Sequence, residues 1–427
     1  MKVLWITNIL FPEICDRLGV TAPVTGGWMK SSAQALLKSD KGMKLAVVTL
    51  YGHEYRKDVI NGITYYCLPF KVYAQRGYNQ AMEPYWQKVA DDFCPDVVHI
   101  HGTEYPHGLA YVKGVGSWNV IVSIQGIVSR YARYEAGGIK FVQMLKCLTM
   151  KDFLLRSWPN KGAKRLARQG LFEKELIRKV SHVIGRTSWD QDHVWAINSD
   201  AEYHFCNETL RAPFYEGEEW RMDKCSRHRI FLSQAAKPIK GIHKVIEAMP
   251  LVLRSFPDAE VYVAGVNFVD ASTLSRRLRM STYGRYVANL LDKYGLKEKF
   301  HFTGMLDEWQ MAEQYRMANV FVCPSSIENS PNSLGEAQLV GTPVVASYVG
   351  GVPDMVENGK TGLLYRFEEH EMLARQICRI FEDSKLASTL SAQGKIAALR
   401  RHDRHTNAIR TLEIYEEVKK KNLRMPT

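Results

Sequence analysis

Two glutamates, Glu328 and Glu336, flank a polar loop and the predicted start of a helix. A buried strand is predicted to end at Cys323, and the helix to begin near Ser333. In open α/β sheets ligands bind at the carboxyl ends of strands, and free N–H groups at a helix start attract anions. Gly335 leaves room for a phosphate to approach the backbone. The two carboxylates would then accept hydrogen bonds from sugar hydroxyls at either end of a bound diphosphate.

A structural interpretation of Glu336 stays open beside this one. Ser333 and Glu336 have the spacing of a capping box, in which the glutamate closes the helix start. Both roles are compatible, because a carboxylate has two oxygens. Glu328 lies in a Ser/Asn/Pro loop, where a purely structural glutamate would be an exposed charge. We therefore expect Glu328→Gln to reduce turnover and to leave the melting temperature nearly unchanged.

Three further motifs follow the glutamate pair in order: Gly341-Thr342-Pro343-Val344-Val345-Ala346-Ser347, Gly350-Gly351-Val352-Pro353-Asp354 and Glu357-Asn358-Gly359-x2-Gly362-Leu363-Leu364. The C-terminal half of the chain thereby resembles the retaining glycosyltransferases of family 4, the glycosyl transferases group 1 of bacterial polysaccharide type. The resemblance implies the GT-B fold, two Rossmann-like doubly wound domains facing a central cleft. It also implies that Glu328 contacts the donor sugar and Glu336 the ribose. The donor-binding residues expected at the helix start are Asn332, Ser333, Leu334 and Glu336.

Cationic side chains are expected upstream, where Gln234–Gly241 joins a predicted strand to a helix. Members of the family carry an Arg and then a Lys-Gly here, which neutralise the donor diphosphate. Lys240 matches the lysine, but Gln234 stands at the arginine position. Either Lys237 supplies the missing charge or Gln234 donates a weaker, neutral hydrogen bond. The structural alternative for Lys240 is a solvated lysine in the first helical turn, where a cation is slightly unfavourable.

The N-terminal half contributes a second group of candidates. Gly26 and Gly27 lie between the first strand and a helix, where the family has a donor-binding glycine loop, although Gly-Gly also simply makes turns. His99 and His101 resemble the His-x-His at a strand end of the family. One of the two is expected to be a core histidine, and His101 is the better functional candidate. No third ligand with zinc-like spacing follows, so we expect no metal there.

Two more positions complete the predicted site. Gln125 stands where many relatives have a histidine near the donor sugar, and it can hydrogen-bond but carries no charge. Arg186 is predicted to reach the cleft from the end of a strand. The alternative at that position is a helix cap by Thr187 and Asp190. The only Asp-x-Asp, Asp190-Gln191-Asp192, falls in that helix start and is interpreted as a cap rather than a Mg²⁺ site.

These residues predict an enzyme of the EC 2.4 class that is independent of metals and cofactors. It would move a hexose-type sugar from a nucleoside-diphosphate sugar, UDP rather than GDP, to a hydroxyl of a lipid-linked or polysaccharide glycan. The resemblance implies retention through front-face substitution, with Glu328, Lys240 and His101 as the catalytic residues. Two alternatives stay open: a sugar-nucleotide epimerase of the same fold, and a non-catalytic partner that binds glycans or nucleotides. The absence of G-x-G-x-x-G disfavours a dehydrogenase.

The elements that position these residues alternate short β-branched runs with helical patterns, which predicts parallel sheets with crossover helices. We expect an acceptor-binding domain over 1–215, a nucleotide-sugar-binding domain over 216–404, and a helix over 405–427 that crosses back to the first domain. That helix has an apolar stripe at helical spacing, formed by Ile409, Leu412, Ile414, Tyr415 and Val418, and the alternative is a frayed, solvated terminus. A single helix is predicted over 274–294. The predicted strands are Val3–Asn8, Lys44–Leu50, Val97–Gly102, Val120–Gln125, His182–Arg186, Arg229–Ser233, Glu260–Gly265, Phe300–Gly304, Val320–Pro324 and Pro343–Ser347.

Composition narrows the environment of the protein. The eight cysteines lie far apart without a C-x-x-C pair, which suits a reducing cytosol. The formal charge is +12, and Lys140–Lys179 holds eleven basic and three acidic residues, a local net of +8. We expect an anionic partner, and no nucleic acid, because no nucleic-acid-binding motif accompanies the charge. Residues 141–178, with apolar Phe141, Leu145, Leu148, Leu154, Leu155 and Trp158, are predicted to meet an anionic membrane surface on its cytoplasmic face. The alternative is a helix pair packed on the N-terminal core with a solvated basic face.

Overall fold

The structure is a computed structural model that describes residues 1–23, 26–71, 77–154 and 158–422. The chain forms two compact units. The first contains Met1–Ala132, Arg165–Leu210 and the chain from His402 on, and the second contains Arg133–Lys164 and Arg211–Arg401. Each unit has its own sheet, and the predicted α/β class is confirmed.

The first unit is built on an eight-stranded sheet with the order β3-β4-β2-β1-β5-β6-β7-β8. Only β3 runs antiparallel to its neighbour. The strands are β1 Lys2–Ile6, β2 Lys44–Leu50, β3 Arg56–Ile60, β4 Ile63–Leu68, β5 Val97–His101, β6 Val120–Ser123, β7 His182–Gly185 and β8 Glu202–Phe205. The helices are α1 Pro12–Leu18, α2 Gly27–Ser39, α3 Glu83–Phe93, α4 His107–Gly114, α5 Val128–Tyr131, α8 Lys161–Lys179 from residue 165 on, α9 Ser188–Trp195 and α18 Arg404–Asn422.

Alternation along the central strands of this sheet creates a core on each of its faces. In β1, Leu4 and Ile6 join one buried cluster, and Val3 and Trp5 join the other. Both faces are apolar because helices cover a parallel sheet on both sides. Because β1, β5, β6 and β7 are parallel neighbours, their carboxyl ends lie at one edge of the sheet. The predicted site residues of this half lie at that edge.

The second unit has a six-stranded parallel sheet with the order β11-β10-β9-β12-β13-β14. Its strands are β9 Arg229–Leu232, β10 Glu260–Val263, β11 Phe300–Phe302, β12 Val320–Cys323, β13 Val344–Ser347 and β14 Leu363–Tyr365. Its helices are α6 Phe141–Lys146, α7 Met150–Leu154, α10 Ile242–Ser255, α11 Leu274–Arg279, α12 Thr282–Tyr294, α13 Glu308–Met317, α14 Asn332–Val340, α15 Val352–Met355, α16 His370–Glu382 and α17 Ser384–Arg401.

All ten predicted strands are present; Lys44–Leu50 matches at both ends, and the other nine differ by one or two residues at one or both ends. The single helix predicted over 274–294 is wrong. The backbone leaves the helical region at Met280 (ψ 140°), and the Ser281 side chain accepts a hydrogen bond from Gly284 N–H to start α12. The short strands β3, β4, β8 and β14 were not predicted from the sequence.

The domain boundaries differ from those expected. Residues 133–164 and 211–215 group with the second unit rather than with the first. His243 Nε2 lies 2.8 Å from the backbone oxygen of Gly137, and Thr282 Oγ1 donates to Asp152 Oδ2 at 2.6 Å. These contacts join residues more than 100 positions apart, which local sequence patterns do not reveal.

The C-terminal helix α18 packs on the first unit, against α2 and β5. Ile414, Tyr415 and Val418 of the expected apolar stripe are fully buried, whereas Ile409 is 37% exposed. Trp5 Nε1 donates to Tyr415 Oη at 2.9 Å, and His99 Nδ1 lies 2.6 Å from the same oxygen. Among the described residues, no helix combines the length and the apolar character needed to cross a bilayer.

Candidate active site

Glu328 lies in a loop that begins where β12 ends, and the loop is buried rather than exposed. Residues 324–331 are all buried, and Glu328 is 8% exposed. Its Oε1 accepts hydrogen bonds from Lys240 Nζ at 2.5 Å and from Ser325 Oγ at 2.7 Å. The structural alternative, an exposed charge, is therefore wrong. Residues distant in the sequence, Lys240, Gly241 and Gly350, contact this loop.

Two glycines hold the Glu328 loop by allowing close backbone contacts. Gly241 has φ +72°, and a Cβ there would lie 1.7 Å from the backbone oxygen of Pro324. Gly350 has φ +49°, and a Cβ there would lie 1.9 Å from the backbone oxygen of Glu328, which accepts from Gly351 N–H at 3.1 Å. Both positions require glycine, because the φ values and the contacts exclude side chains. Two motifs found in the sequence therefore position the Glu328 backbone.

Lys240 belongs to a 3₁₀ turn, Pro238–Lys240, and precedes the first residue of α10. The alternative of a solvated lysine in the first α-helical turn is therefore wrong. Burial by itself would lower the pKa of Lys240, but the charge and hydrogen bond of Glu328 raise it above its usual value. The side chain is 26% exposed. It is a fixed ammonium with N–H groups left for an anion.

Glu336 faces inward from α14 and does not form the predicted capping box. Pro331 is the N-cap of α14, with no side-chain cap. Glu336 Oε1 instead accepts from Arg211 Nη2 at 2.8 Å, and Oε2 accepts from Tyr315 Oη at 3.3 Å. Burial raises the pKa of Glu336, and the Arg211 charge and the Tyr315 hydroxyl oppose this shift. The helix begins at Asn332, so Ser333 is already inside it.

The remaining predicted residues of this unit are divided between surface and interior. Gln234 and Lys237 are exposed in the segment between β9 and the 3₁₀ turn. Asn332 and Ser333 are partly buried in the first turn of α14, and Leu334 is fully buried. The first turn of α14 and Lys240 thus follow β12 and β9, which are neighbouring strands. An anion there would meet helix N–H groups and an ammonium.

His99 and His101 are stacked on one face of β5, with ring centroids 3.8 Å apart. His99 is the core histidine: Nδ1 contacts Tyr415 Oη, and Nε2 contacts Ser123 Oγ. His101 is 7% exposed, and neither ring nitrogen has a hydrogen-bond partner among the described residues. Burial lowers the pKa of His99 to about 3 and that of His101 well below its usual value. His101 is thus a neutral imidazole, and it lines a cavity of about 50 Å³.

Arg186, at the carboxyl end of β7, forms a buried network with Gln125 and Glu208. Arg186 Nη1 lies 2.5 Å from Glu208 Oε2, and Nη2 donates to Gln125 Oε1 at 3.3 Å. Gln125 Nε2 donates to Glu208 Oε1 at 2.6 Å. Thr187 also caps α9, because its Oγ1 accepts from Asp190 N–H at 3.1 Å. The site role and the cap are therefore compatible at this strand end.

Gly26 and Gly27 form the start of α2. Gly26 is the N-cap with φ +87°, and a Cβ there would lie 1.8 Å from Ile9 Cδ1. Gly27 is the first residue of the helix. The pair therefore serves as a turn, and it also leaves backbone N–H groups at a helix start. Thr25 of the same motif lies outside the described residues.

Three ionisable residues were not identified from the sequence, although they lie among or near the candidate site residues of the two units. Arg211 was assigned to the first domain because the predicted boundary was misplaced. Glu208 lies three residues before it, and neither was named as a site residue. Glu104 follows His101 closely, and burial raises its pKa to about 7. Their positions were the available signal. Glu104 and Glu208 each lie three residues after a strand end, and Arg211 is the residue at which the chain enters the second unit.

Comparison with known proteins identifies the fold and finds a family match within the second unit. Sucrose-phosphate synthase from Thermosynechococcus elongatus superposes with a TM-score of 0.70 at 17% identity, over 98% of this chain and 99% of that one. HepE of Anabaena, solved with UDP and glucose, superposes with a TM-score of 0.63 at 15% identity, over 98% and 100%. The chain therefore has the GT-B fold. Residues 225–397 match the family described as glycosyl transferases group 1.

A curated relative adds sequence similarity over a shorter range. The phosphatidyl-myo-inositol mannosyltransferase of Mycobacterium tuberculosis is 28% identical over 194 residues. That alignment covers 44% of this chain and 47% of the relative, so the chain spans about half the length of the curated relative it matches.

Proposed function

We propose that this protein is a metal-independent, retaining glycosyltransferase that moves a hexose-type sugar from a nucleoside-diphosphate sugar to an acceptor hydroxyl. The observation that carries the proposal is the ion pair between Lys240, which follows β9, and the buried Glu328, which follows β12 and precedes α14. A cation and a helix start suit a diphosphate, and a carboxylate suits a sugar hydroxyl. The family match over 225–397 supports the same reaction class.

In this proposal Lys240 and the N–H groups of α14 bind the diphosphate, and Glu328 binds the sugar. Both hydrogen bonds that Glu328 accepts from described side chains use Oε1, so Oε2 remains for a sugar hydroxyl. The bond between the anomeric carbon and the phosphate oxygen breaks, and a bond from that carbon to the acceptor oxygen forms on the same face. The proton of the acceptor passes to the leaving phosphate. Glu336 would bind the ribose beside Arg211.

The first unit would supply the remaining donor and acceptor contacts. Gly26 and Gly27 would present backbone N–H groups, and neutral His101 would hydrogen-bond the sugar or the acceptor. Gln125 and Arg186 would bind polar groups of the donor, because their network lies at the same sheet edge as His101. Gln234 and Lys237 would act in the second unit, where they are exposed to incoming ligand.

The charges already present support the proposal of metal independence. Lys240 offsets the negative charge that develops on the departing diphosphate, which is the work of Mg²⁺ in other transferases. Asp190, from the lone Asp-x-Asp, is fully buried and its Oδ2 accepts from Arg186 N–H at 3.1 Å. We expect EDTA to leave the transfer rate unchanged. A rate that falls with EDTA and returns with Mg²⁺ would contradict metal independence.

UDP is the proposed nucleotide, with HepE of Anabaena, solved with UDP and glucose, as the supporting neighbour. A lipid-linked or polysaccharide glycan is the proposed acceptor, supported by the partial match to a mannosyltransferase of phosphatidyl-myo-inositol. The proposed location is cytoplasmic and peripheral to the membrane.

The test is release of UDP or GDP from a panel of sugar nucleotides in the presence and absence of glycan acceptors. Acceptor-dependent release is expected, with the α or β configuration of the donor retained in the product by NMR.

Nucleotide release without any acceptor dependence, or sugar-nucleotide isomerisation, would overturn transfer and favour an epimerase. Thermal-shift screening of UDP and GDP separates nucleotide binding from turnover. Stabilisation by UDP without turnover on any acceptor would favour a non-catalytic binding partner.

A further inference from the structure

A second cluster of polar side chains lies away from the sheet edge that carries His101 and Arg186. His182 is the first residue of β7, Glu202 is the first residue of β8, and His204 is two residues further along β8. In the parallel register His182 pairs with Glu202, and Ile184 pairs with His204. Arg186 follows β7 at its other end. The cluster is therefore at the amino ends of these strands, opposite to the candidate active site.

The distances between the nitrogen and oxygen atoms are those of a metal site. His182 Nδ1 lies 3.0 Å from His204 Nε2 and 3.4 Å from Glu202 Oε2. One ligand atom from each of the three residues falls within 4.8 Å of the other two. Two ligand atoms of a tetrahedral zinc ion, at bond lengths near 2.0–2.1 Å, stand about 3.3 Å apart. Among the described residues this is the one such group of three.

The surroundings also suit a metal. His182 and His204 are 4% and 3% exposed, so both rings are shielded from bulk solvent. His204 Nδ1 lies 3.4 Å from Glu417 Oε2 on α18. A carboxylate on the far nitrogen of a ligating histidine orients the ring and raises its basicity. Glu417 is itself held by Arg410 Nη1 at 3.2 Å.

We propose that His182, His204 and Glu202 bind a zinc ion, with water as the fourth ligand, and that the ion fastens the edge strand β8 to β7. Glu417 links the ion to α18. The role is structural, because the ligands stand at the opposite end of β7 from Arg186. The proposal does not depend on glycosyl transfer, and the transfer reaction gains no step through it.

Lys421 competes with the ion. Its Nζ forms an ion pair with Glu202 Oε2, and its side chain is 53% exposed. Zinc must displace this ammonium, which can move into solvent. Removal of the lysine charge therefore frees the carboxylate, and Lys421→Met should bind zinc more tightly than the native chain.

The test uses the tag-free full chain carrying Cys94→Ser, because Cys94 is an exposed thiol. After treatment with EDTA, Zn²⁺ alone is titrated against a chromogenic chelator, and the melting temperature is measured in parallel. We expect one equivalent bound and a higher melting temperature. Co²⁺ should give visible d–d bands without the near-ultraviolet charge-transfer band of a thiolate ligand.

Variants assign the ligands. His204→Gln and Glu202→Gln should each weaken zinc binding at least about 10-fold, and Glu417→Gln about 10-fold, as for loss of an outer carboxylate. The matched control is His301→Gln, which removes a His–Glu pair (3.1 Å to Glu260) on two other neighbouring strands. It should leave zinc binding unchanged. If the buried His204→Gln variant fails to fold, the exposed Lys421→Met and half-exposed Glu202→Gln variants decide the question by moving affinity in opposite directions. Absence of a bound equivalent, or equal binding by native and variant chains, would overturn the site.

Discussion

The carboxylate of Glu328 is positioned by groups far from it in the sequence. Lys240 is 88 positions away, and Gly350 approaches the loop from after β13. Burial of the ion pair costs solvation free energy, which good geometry and the Ser325 hydrogen bond offset. In the proposed reaction, a carboxylate held this way does not need to reorganise when charge develops at the sugar ring.

Glu328→Gln preserves shape and removes the charge. Loss of charge-assisted hydrogen bonds to the donor costs roughly 1.5–3 kcal/mol, so turnover should fall about 10- to 150-fold. Because the pair is buried, the variant also leaves Lys240 without its counter-charge, and the melting temperature should fall as well. This replaces the expectation of an unchanged melting temperature. The measurement is kcat at saturating donor, beside thermal unfolding.

Two controls separate chemistry from stability. Glu313→Gln removes a glutamate that is paired with Arg316 and 54% exposed, and it should change neither quantity. Lys240→Met with Glu328→Gln removes the uncompensated charge and should recover stability without recovering turnover. Turnover of Glu328→Gln at the native rate would show that the assignment of the site is wrong.

Glu336→Gln should affect binding more than turnover. The substitution leaves Arg211 buried without its counter-charge and removes the proposed ribose contact. We expect the Kd for UDP to rise about 10-fold, as for loss of one charge-assisted hydrogen bond, and the melting temperature to fall. Calorimetric titration with UDP and thermal unfolding check both. An unchanged Kd alongside a lowered melting temperature would assign Glu336 to folding alone.

At the scale of the elements, the position of the C-terminal helix α18 is set by contacts with residues distant in the sequence. Tyr415 Oη joins Trp5 and His99, and Val418 and Ile414 are fully buried. The amphipathic spacing predicts a helix, but its docking face is set by the sheet it covers. A frayed terminus would have left these side chains in water.

Deletion of the residues after Asn407 should prevent stable folding of the first unit. Tyr415→Phe is a milder test, because it keeps the ring and leaves Trp5 Nε1 and His99 Nδ1 unpaired at a cost of about 1–3 kcal/mol. Tyr348→Phe is the control: Tyr348 is 62% exposed, so the substitution should leave the free energy of unfolding unchanged. Urea unfolding measures the difference. An unchanged midpoint for the deletion would show that α18 contributes nothing to stability.

For the whole molecule, the excess of positive charge bears on membrane association. In the second unit Phe141, Leu154 and Trp158 are 52%, 79% and 49% exposed. Lys140, Lys146 and Lys151 are exposed in the same segment, whereas Leu145 and Leu148 are partly buried. Leu155 and Arg156 of the predicted surface lie outside the described residues. Exposed apolar groups among cations match what an anionic bilayer surface binds.

We expect the protein to co-float with anionic liposomes at low salt and to dissociate at high salt, because each basic residue near the surface contributes about 1 kcal/mol. Phe141→Ser with Leu154→Ser should weaken flotation. Trp195→Ser is the matched control, since Trp195 is 68% exposed in α9 of the first unit. Lack of flotation at low salt would leave the alternative, helices packed on the core with a solvated basic face.

The sequence by itself determined the alternating strands and helices and the ten main strands. These features depend on periodicity and on local backbone geometry, which a few neighbouring residues define. The Glu328–Glu336 spacing and the later motifs were likewise sufficient to indicate the family of the second unit.

Only the tertiary structure decided which charges meet. Arg211 pairs with Glu336 across 125 positions, Lys240 with Glu328 across 88, and α18 lays Glu417 beside His204. Local patterns left a cap open for Glu336 and an exposed charge open for Glu328, because they do not show which distant elements cover a residue. Parallel sheets bring strand ends from across the chain to one edge, and the crossover helices between them conceal that proximity in the sequence.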